Sequence, residues 1–312
     1  MDKEELKSKF LGCLVGVAIG DGLGDWREGR GMAKREDIDS LAGKLEELIY
    51  TDDTHMTIGV AESLLKSKGF NGERMAQGFI RNYESEPWRG YGPGPPKIFS
   101  MIKSGEPWDS AGAKLYRGGS FGNGSAMRVA PVGLLYSNTP EKLREIAYES
   151  SSITHSHELG KEGAALQAYA IALALNTPSD EDIDKEAFLL KLQSFAQNQL
   201  YKEKVTRIKE LLGEQGRTKV VAVLGNGIEA PRSVPTAIYS FLLQPKSYKD
   251  TVIYAISLGG DTDTIASMAG AISGAYLGIE AIPQEWRAKL ENRAYIETLA
   301  EGLWQLAIFP HA

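Results

Sequence analysis

Apolar residues recur along this chain mainly at the three-to-four-residue spacing of helices. The spacing predicts helices over residues 4–20, 55–66, 72–83, 140–149, 160–175, 185–212, 234–243, 249–257, 264–278 and 287–307. Few segments show the two-residue alternation of strands. The best of them, residues 218–224, is short and could equally be a turn of helix. We therefore predict an all-α domain, a multi-helix bundle.

Two of these helices carry a glycine at every fourth position, which places the glycines in a stripe on one face. An interior glycine costs roughly 1 kcal/mol relative to alanine, so a stripe is favourable only where it lets two helix backbones approach closely. We predict that both helices lie at the centre of the bundle, with the N-terminal segment beside residues near 262. The two stripes are Gly12, Gly16, Gly20 and Gly24, and Gly270, Gly274 and Gly278.

Two polar stretches between the predicted helices are expected to be surface excursions. Residues 84–97 are rich in proline, glycine and aromatic residues, and residues 176–184 are acidic and polar. The first contains Trp88 and Tyr91 and is the better candidate for a substrate-facing lid, although such loops are often only packed turns.

Two acidic clusters lie far apart in the chain, TDDT at 51–54 and GGDTDT at 259–264. Asp261 and Asp263 would point to opposite sides within a helix, so they can share an ion only from a loop or a helix start. Hard oxygen donors suit Mg²⁺, Mn²⁺ or Ca²⁺ better than zinc. N-capping would explain either cluster alone, but both are richer in oxygen donors than a cap requires. They indicate two halves of one divalent-metal site.

Composition and this proposed site together indicate one domain. A length of 312 residues suggests about two domains, yet the site joins residues near 52 to residues near 262. We therefore predict a single domain over residues 1–312. A hydrophobic content of 42% and a charged content of 24% are ordinary for a soluble globular chain with a large core.

Charge and cysteine usage restrict the partners and the compartment. The formal charge of −6, without a block of basic residues, argues against general binding to nucleic acid or acidic membranes. Cys13 is the only cysteine, so no intrachain disulfide can form and a reducing compartment is favoured. Cys13 itself is best explained as a packing residue. No uncharged apolar run is long enough for a membrane span, so we expect a cytoplasmic protein.

A glycine-rich segment over residues 118–128 could cradle an anion with its exposed amides. It lacks the Gly-Lys-Ser/Thr ending of a phosphate-binding loop and the spacing of the dinucleotide fingerprint, so nucleoside triphosphate hydrolysis and Rossmann chemistry are disfavoured. A plain turn before a helix is the alternative. Arg128, at its end, is either structural or a phosphate partner.

Two further positions are candidates on weaker grounds. His155 precedes an apolar helix without any accompanying zinc-ligand spacing, so substrate contact or helix capping is favoured over metal binding. Glu28 follows the glycine-striped helix, where it is free to act as a metal ligand or general base. From spacing alone, the favoured interpretation of Glu28 is a solvated surface glutamate.

The ordered set of motifs resembles the ADP-ribosylglycohydrolase family, which includes the dinitrogenase-reductase-activating glycohydrolases and the ADP-ribosyl-acceptor hydrolases. The resemblance spans nearly the whole chain. Its motifs are the first glycine stripe with Glu28, TDDT at 51–54, GSFGNGSAMRVAP at 119–131, THSHELG at 154–160 and GGDTDTIASMAGAISGA at 259–275.

This resemblance implies a mostly orthogonal helical domain with two Mg²⁺ or Mn²⁺ ions in a central cleft. Glu28 matches an acidic residue that lies beside the metals, and His155 matches a ligand-contacting histidine. The loop for the diphosphate and distal ribose corresponds to Ser120, Phe121, Gly122 and Asn123. The metal-ligand positions correspond to Thr51, Asp52, Asp53, Asp261, Asp263 and Thr264.

The expected reaction is hydrolysis of the bond between ribose C1″ of ADP-ribose and its acceptor, a protein side chain or a small molecule. Two cations would bind the ribose hydroxyls and lower the pKa of a water, and Asp53, Asp261 and Glu28 are the candidates for proton transfer and charge stabilisation. A catalytically silent relative and a metal-dependent phosphohydrolase that cuts the diphosphate are the alternatives. The resemblance leaves the acceptor open.

Overall fold

The computed structural model describes residues 1–213 and 216–309. Within them the chain forms seventeen α-helices, α1 to α17, joined by loops and three short 3₁₀ helices. In order they are Lys3–Gly24, Arg35–Lys44, Asp52–Ser67, Gly72–Ser85, Gly94–Lys103, Ala111–Leu115, Ala130–Leu135, Pro140–Ser152, Glu158–Leu175, Lys185–Phe195, Gln199–Leu211, Arg217–Leu224, Ala230–Leu243, Tyr248–Ser257, Thr262–Leu277, Gln284–Lys289 and Arg293–Ile308.

The predicted all-α class is confirmed. The described ranges contain isolated β-bridges but no strand, and two of the bridges, Arg30 with Gly260 and Gly122 with Glu229, join loops at one end of the bundle. The ambiguous residues 218–224 belong to the helix α12. None of the helices in the described ranges is long and apolar enough to cross a membrane.

Helices α1 and α15 form the centre of the bundle, as the glycine stripes predict. A Cβ added to Gly274 would lie 2.0 Å from the Gly12 carbonyl oxygen, and one added to Gly20 would lie 2.2 Å from the Ala266 carbonyl oxygen. Both distances are far inside van der Waals contact, so only glycine permits this approach. Cys13, on the same part of α1, is fully buried, in agreement with a packing role.

The predicted single helix over 185–212 is wrong, because the chain breaks between α10 and α11. Asn198 caps α11 with its side chain, which accepts a hydrogen bond from the Leu200 amide. The buried carboxylate of Glu162 accepts the backbone amides of Gln197 and Asn198. A distant acid therefore stabilises the break, and apolar spacing in residues 185–212 carries no sign of it.

The prediction over 287–307 fails in the same way. Helix α16 ends at Lys289 and α17 begins at Arg293, with Asn292 between them in the left-handed conformation. Four helices were not predicted at all, namely α2, α5, α6 and α7; all are ten residues or shorter. The excursion over 84–97 is shorter than expected, because α4 continues to Ser85 and α5 begins at Gly94.

Candidate metal and substrate site

The first acidic cluster forms the start of α3, and a buried carboxylate holds it in place. Asp21, fully buried in α1, accepts hydrogen bonds from the amide and hydroxyl of Thr51 and from the amide and hydroxyl of Thr54, at 2.6–3.0 Å. Asp21 thus saturates the donors that would otherwise compete for the neighbouring carboxylates. Asp52 and Asp53 lie in the first turn of the helix.

The second cluster reaches α15 through two glycines that no other residue could replace. Gly259 and Gly260 have φ of +70° and +77°, and an added Cβ on Gly260 would lie 2.1 Å from the Asn226 carbonyl oxygen. The Asp261 amide donates to that same carbonyl at 2.9 Å. Asp261 stands just before α15 and Asp263 in its first turn, which is the loop-to-helix position that a shared ion requires.

The glycine stripe on α1 also positions acidic side chains. Thr262 donates its hydroxyl to the Gly24 carbonyl at 2.8 Å, and a Cβ on Gly24 would lie 2.5 Å from the Asp263 Cα. Because α1 ends directly against α15, the residues that follow Gly24 enter the site. Carboxylate oxygens of Asp25, Glu28 and Asp263 lie within 4.8 Å of one another.

The two clusters meet, as predicted. Thr264 donates its hydroxyl to Asp53 Oδ1 at 3.3 Å, and Asp52, Asp53, Asp261 and Asp263 line one cavity. Asp53 Oδ2 and Asp263 Oδ1 are buried and accept no hydrogen bond from any described residue. A buried carboxylate oxygen without a donor is costly. These free oxygens are suited to a cation.

The convergence raises the pKa of every aspartate in the cluster. Burial, followed by the charge of Asp21, raises the pKa of Asp52 to about 8. Burial and neighbouring carboxylates also raise the pKa of Asp53 and of Asp263 well above the usual range. Helices α3 and α15 both point their N-termini at the cluster, and their dipoles partly offset this repulsion. A divalent cation would relieve the remainder, so the residues present fit a metal site with hard oxygen ligands.

The glycine-rich segment borders the metal cluster. Asn123 donates its side-chain amide to Asp261 Oδ2, which ties the segment to the second acidic turn. Ser120, Gly122 and Asn123 line the cavity. Phe121 does not: its side chain is 45% exposed, and its ring lies edge-on to His157 at 5.4 Å between centroids.

His155 lies at the other side of that segment, in a neutral state with a fixed orientation. Arg128 is fully buried and donates to Thr154 Oγ1 at 2.8 Å, and Thr154 Oγ1 lies 2.8 Å from His155 Nδ1. Arg128 thus fixes the Thr154 hydroxyl, and the contact of that hydroxyl with Nδ1 holds the imidazole in one orientation. Burial and Arg128 lower the pKa of His155 to about 3. Arg128 is therefore structural, the first of its two predicted roles.

These residues surround a cavity of about 320 Å³. Its lining combines carboxylates with apolar and aromatic groups. The metal-side lining comprises Asp25, Glu28, Thr51, Asp52, Asp53, Asp261, Asp263 and Thr264, and the remaining lining includes Met56, Gly90, Pro93, Pro95, Tyr116, Met127, His155 and Ile228. The predicted metal and substrate residues except Phe121 therefore share one cavity, and the loop after residue 84 contributes to its wall.

Sequence reasoning missed Asp25 as a member of the cluster and the apolar wall formed by Tyr116 and Ile228. Asp25 follows Gly24 directly, so the end of the glycine stripe was a usable signal for it. No comparable signal exists for Ile228. Its backbone carbonyl accepts a hydrogen bond from the backbone amide of Asn123 at 2.9 Å, which joins it to the glycine-rich segment.

Known proteins resemble this chain over nearly its whole length. The family model described as ADP-ribosylglycohydrolase matches residues 2–310. The chain is 38% identical to "ADP-ribosylhydrolase ARH3" of Mus musculus, covering 95% of this chain and 91% of that protein. It is 37% identical to the protein of that name in Homo sapiens, covering 95% and 93%. A solved structure titled "ADP-ribosylglycohydrolase-related protein complex" matches with a TM-score of 0.73 at 26% identity, covering 97% of this chain and 99% of that chain.

Proposed function

Because the chain belongs to the ADP-ribosylglycohydrolase family, we propose that it is a metal-dependent hydrolase that releases ADP-ribose from a protein or small-molecule acceptor. The convergence of Asp52, Asp53, Asp261 and Asp263 on one cavity carries this proposal. We also propose that residues 1–312 form one ADP-ribosylglycohydrolase-like domain.

The cavity has complementary surfaces for the parts of ADP-ribose. The Ser120 hydroxyl and the His155 imidazole, which line the cavity at the segment over 120–124, are polar groups suited to the diphosphate and distal ribose. Tyr116 and Ile228 offer flat and apolar surface of the kind on which a nucleobase stacks. With the diphosphate on the glycine segment, the distal ribose reaches the carboxylates, because Asn123 of that segment is bonded to Asp261.

Two Mg²⁺ or Mn²⁺ ions would be held by Thr51, Asp52, Asp53, Asp261, Asp263 and Thr264, with Asp25 as an additional candidate. The ions would supply Lewis-acid polarisation of the ribose hydroxyls and of a nearby water. The unpartnered oxygens of Asp53 and Asp263 support this assignment, because they lack donors from the described protein. Asp21 is a positioning residue, since it bonds Thr51 and Thr54 and not the cavity.

Three carboxylates are placed for the chemical step. Glu28 lines the cavity and keeps part of its side chain exposed, and partial desolvation together with the charges of Asp261 and Asp25 raises its pKa. A raised pKa brings a carboxylate closer to the range in which a general base works at neutral pH. Glu28 is thus suited to accept the proton of the attacking water, while Asp53 and Asp261 stabilise the positive charge that develops at ribose C1″.

Product analysis tests the proposal against its nearest alternative. We expect the protein, incubated with ADP-ribosylated peptides and Mg²⁺ or Mn²⁺, to release intact ADP-ribose and the free acceptor, and chelation with EDTA to stop the reaction. Chromatography of the nucleotide product decides the case. Release of AMP would indicate a metal-dependent phosphohydrolase, and metal binding without any product would indicate a catalytically silent relative.

Stability of the metal-free protein should depend on pH in a direction set by the acidic cluster. The folded-state pKa of Asp52 is about 8, against an ordinary value of 3.8. Between these values the folded state binds more protons than the unfolded state, so stability falls as pH rises. We expect the metal-free protein to melt at a lower temperature at pH 8 than at pH 5.5.

Mg²⁺ should remove this difference in melting temperature, because the cation would offset the mutual repulsion of its ionised carboxylate ligands. At a concentration 100 times the dissociation constant, the ion stabilises the folded state by about 2.7 kcal/mol. Calorimetry at both pH values, with NaCl of matched ionic strength as the control, measures the effect. An equal melting temperature with and without Mg²⁺ at pH 8 would contradict the metal site.

A further inference from the structure

Two tryptophans near the acidic lining of the cavity are exposed to solvent. Trp88 is 73% exposed and Trp26 is 50% exposed, although tryptophan is usually well buried. They come from separate elements, the loop between α4 and α5 and the 3₁₀ helix Asp25–Arg27. Neither residue lines the cavity itself.

Their positions along the chain place the backbone of both residues near the carboxylates. Trp26 directly follows Asp25, whose carboxylate lies within 4.8 Å of those of Glu28 and Asp263. Trp88 precedes Gly90 by two residues, so their Cα atoms are at most about 7.6 Å apart. A Cβ added to Gly90 would lie 3.9 Å from Asp52 Oδ1. The backbone at Trp26 and at Trp88 therefore lies close to the acidic lining of the cavity, one residue near each of the two acidic clusters.

The backbone beneath Trp88 is held firmly. Arg89, only 7% exposed, forms ion pairs with Glu86 and Glu291 and donates to the Tyr50 carbonyl at 2.9 Å. Its guanidinium also lies 4.1 Å from the centroid of the Tyr50 ring. Trp88 is thus a large apolar side chain on a fixed support, which is the usual form of an interface anchor.

We propose that Trp26 and Trp88 form an acceptor-docking surface, which binds the polypeptide that carries the ADP-ribosyl group. The inference rests on the proposed function. If the diphosphate lies on the segment over 120–124 and C1″ lies at the carboxylates, the acceptor leaves the cavity on the acidic side. Exposed Asp25 and Glu28 lie there, and they repel a phosphate backbone, which favours a polypeptide over a nucleic acid.

The test compares two substrates with one linkage. ADP-ribose is attached to serine or to arginine, either in a peptide of about ten residues or in the N-acetylated amino acid amide. We measure kcat/KM for both and take their ratio. Truncation of an aromatic anchor usually costs an interface tenfold or more, so Trp88→Ala and Trp26→Ala should each lower the peptide-to-amino-acid ratio roughly tenfold.

The control is Leu190→Ala, because Leu190 is 62% exposed on α10 and does not line the cavity. This variant should keep the wild-type ratio. A wild-type ratio in both tryptophan variants, or an equal loss on both substrates, overturns the proposal. A greater loss with an ADP-ribosylated oligonucleotide than with the peptide also overturns it. If the wild-type protein cleaves none of these substrates, the proposed function fails as well.

Discussion

Asp261→Asn is expected to reduce ADP-ribose release on the order of a thousandfold, even with saturating Mg²⁺. The substitution keeps the size of the side chain and removes one negative charge from the metal cluster. Its amide oxygen can still accept the hydrogen bond that Asn123 donates to Asp261 Oδ2. The contact to the glycine-rich segment is therefore retained, so the loss of activity measures the effect of removing the charge. Chromatographic quantification of released ADP-ribose over a range of Mg²⁺ concentrations measures it.

Asp37→Asn is the matched control, because Asp37 is exposed in the first turn of α2, away from the cavity. It should retain wild-type turnover. The melting temperature of Asp261→Asn without metal should be at least that of the wild type, since one repelling charge is gone. Near-normal turnover of Asp261→Asn with saturating Mg²⁺ would reject the assignment of Asp261.

Gly274→Ala should destabilise the fold severely, by at least about 3 kcal/mol, or prevent folding. The added Cβ would lie 2.0 Å from the Gly12 carbonyl oxygen and 2.4 Å from its carbonyl carbon. Both are backbone atoms, so no side chain can rotate away, and α1 would have to move from α15. The expected result is a large fall in the urea midpoint, measured by circular dichroism.

Gly43→Ala provides the comparison within the same protein. Gly43 lies in α2, and an added Cβ meets nothing within 4 Å. Alanine there should raise the stability by up to about 1 kcal/mol, because it favours the helix more than glycine does. A loss for Gly274→Ala no larger than about 1 kcal/mol would contradict the close approach of the two central helices.

The same helix contact connects stability to the site. Gly24 ends the stripe against the Asp263 Cα, and Gly20 lies one turn earlier against Ala266. The contact that forms the core therefore also brings Asp25 and Glu28 to the second acidic cluster. This dependence explains why a site assembled from residues near 25, 52 and 262 needs both central helices in one register.

Helix type, the acidic turns and the central glycine stripes were predictable because each is a local pattern. Apolar spacing reports which helix faces are buried, and a glycine stripe with its propensity cost has few explanations besides close packing. The meeting of Asp53 with Thr264 followed from chemistry: two oxygen-rich turns, each beyond what capping needs, suit one cation. The order of the motifs then sufficed to indicate the family.

Only the tertiary structure decided which neighbours complete the site and where helices end. The break before Asn198 depends on the Glu162 carboxylate, more than thirty residues away. Only the packed structure shows that Asp21 is the buried acceptor that holds Thr51 and Thr54. Burial, hydrogen-bond partners and pKa are set by residues distant in the chain, so a local pattern cannot specify them. Chain packing made Asp25 part of the cluster.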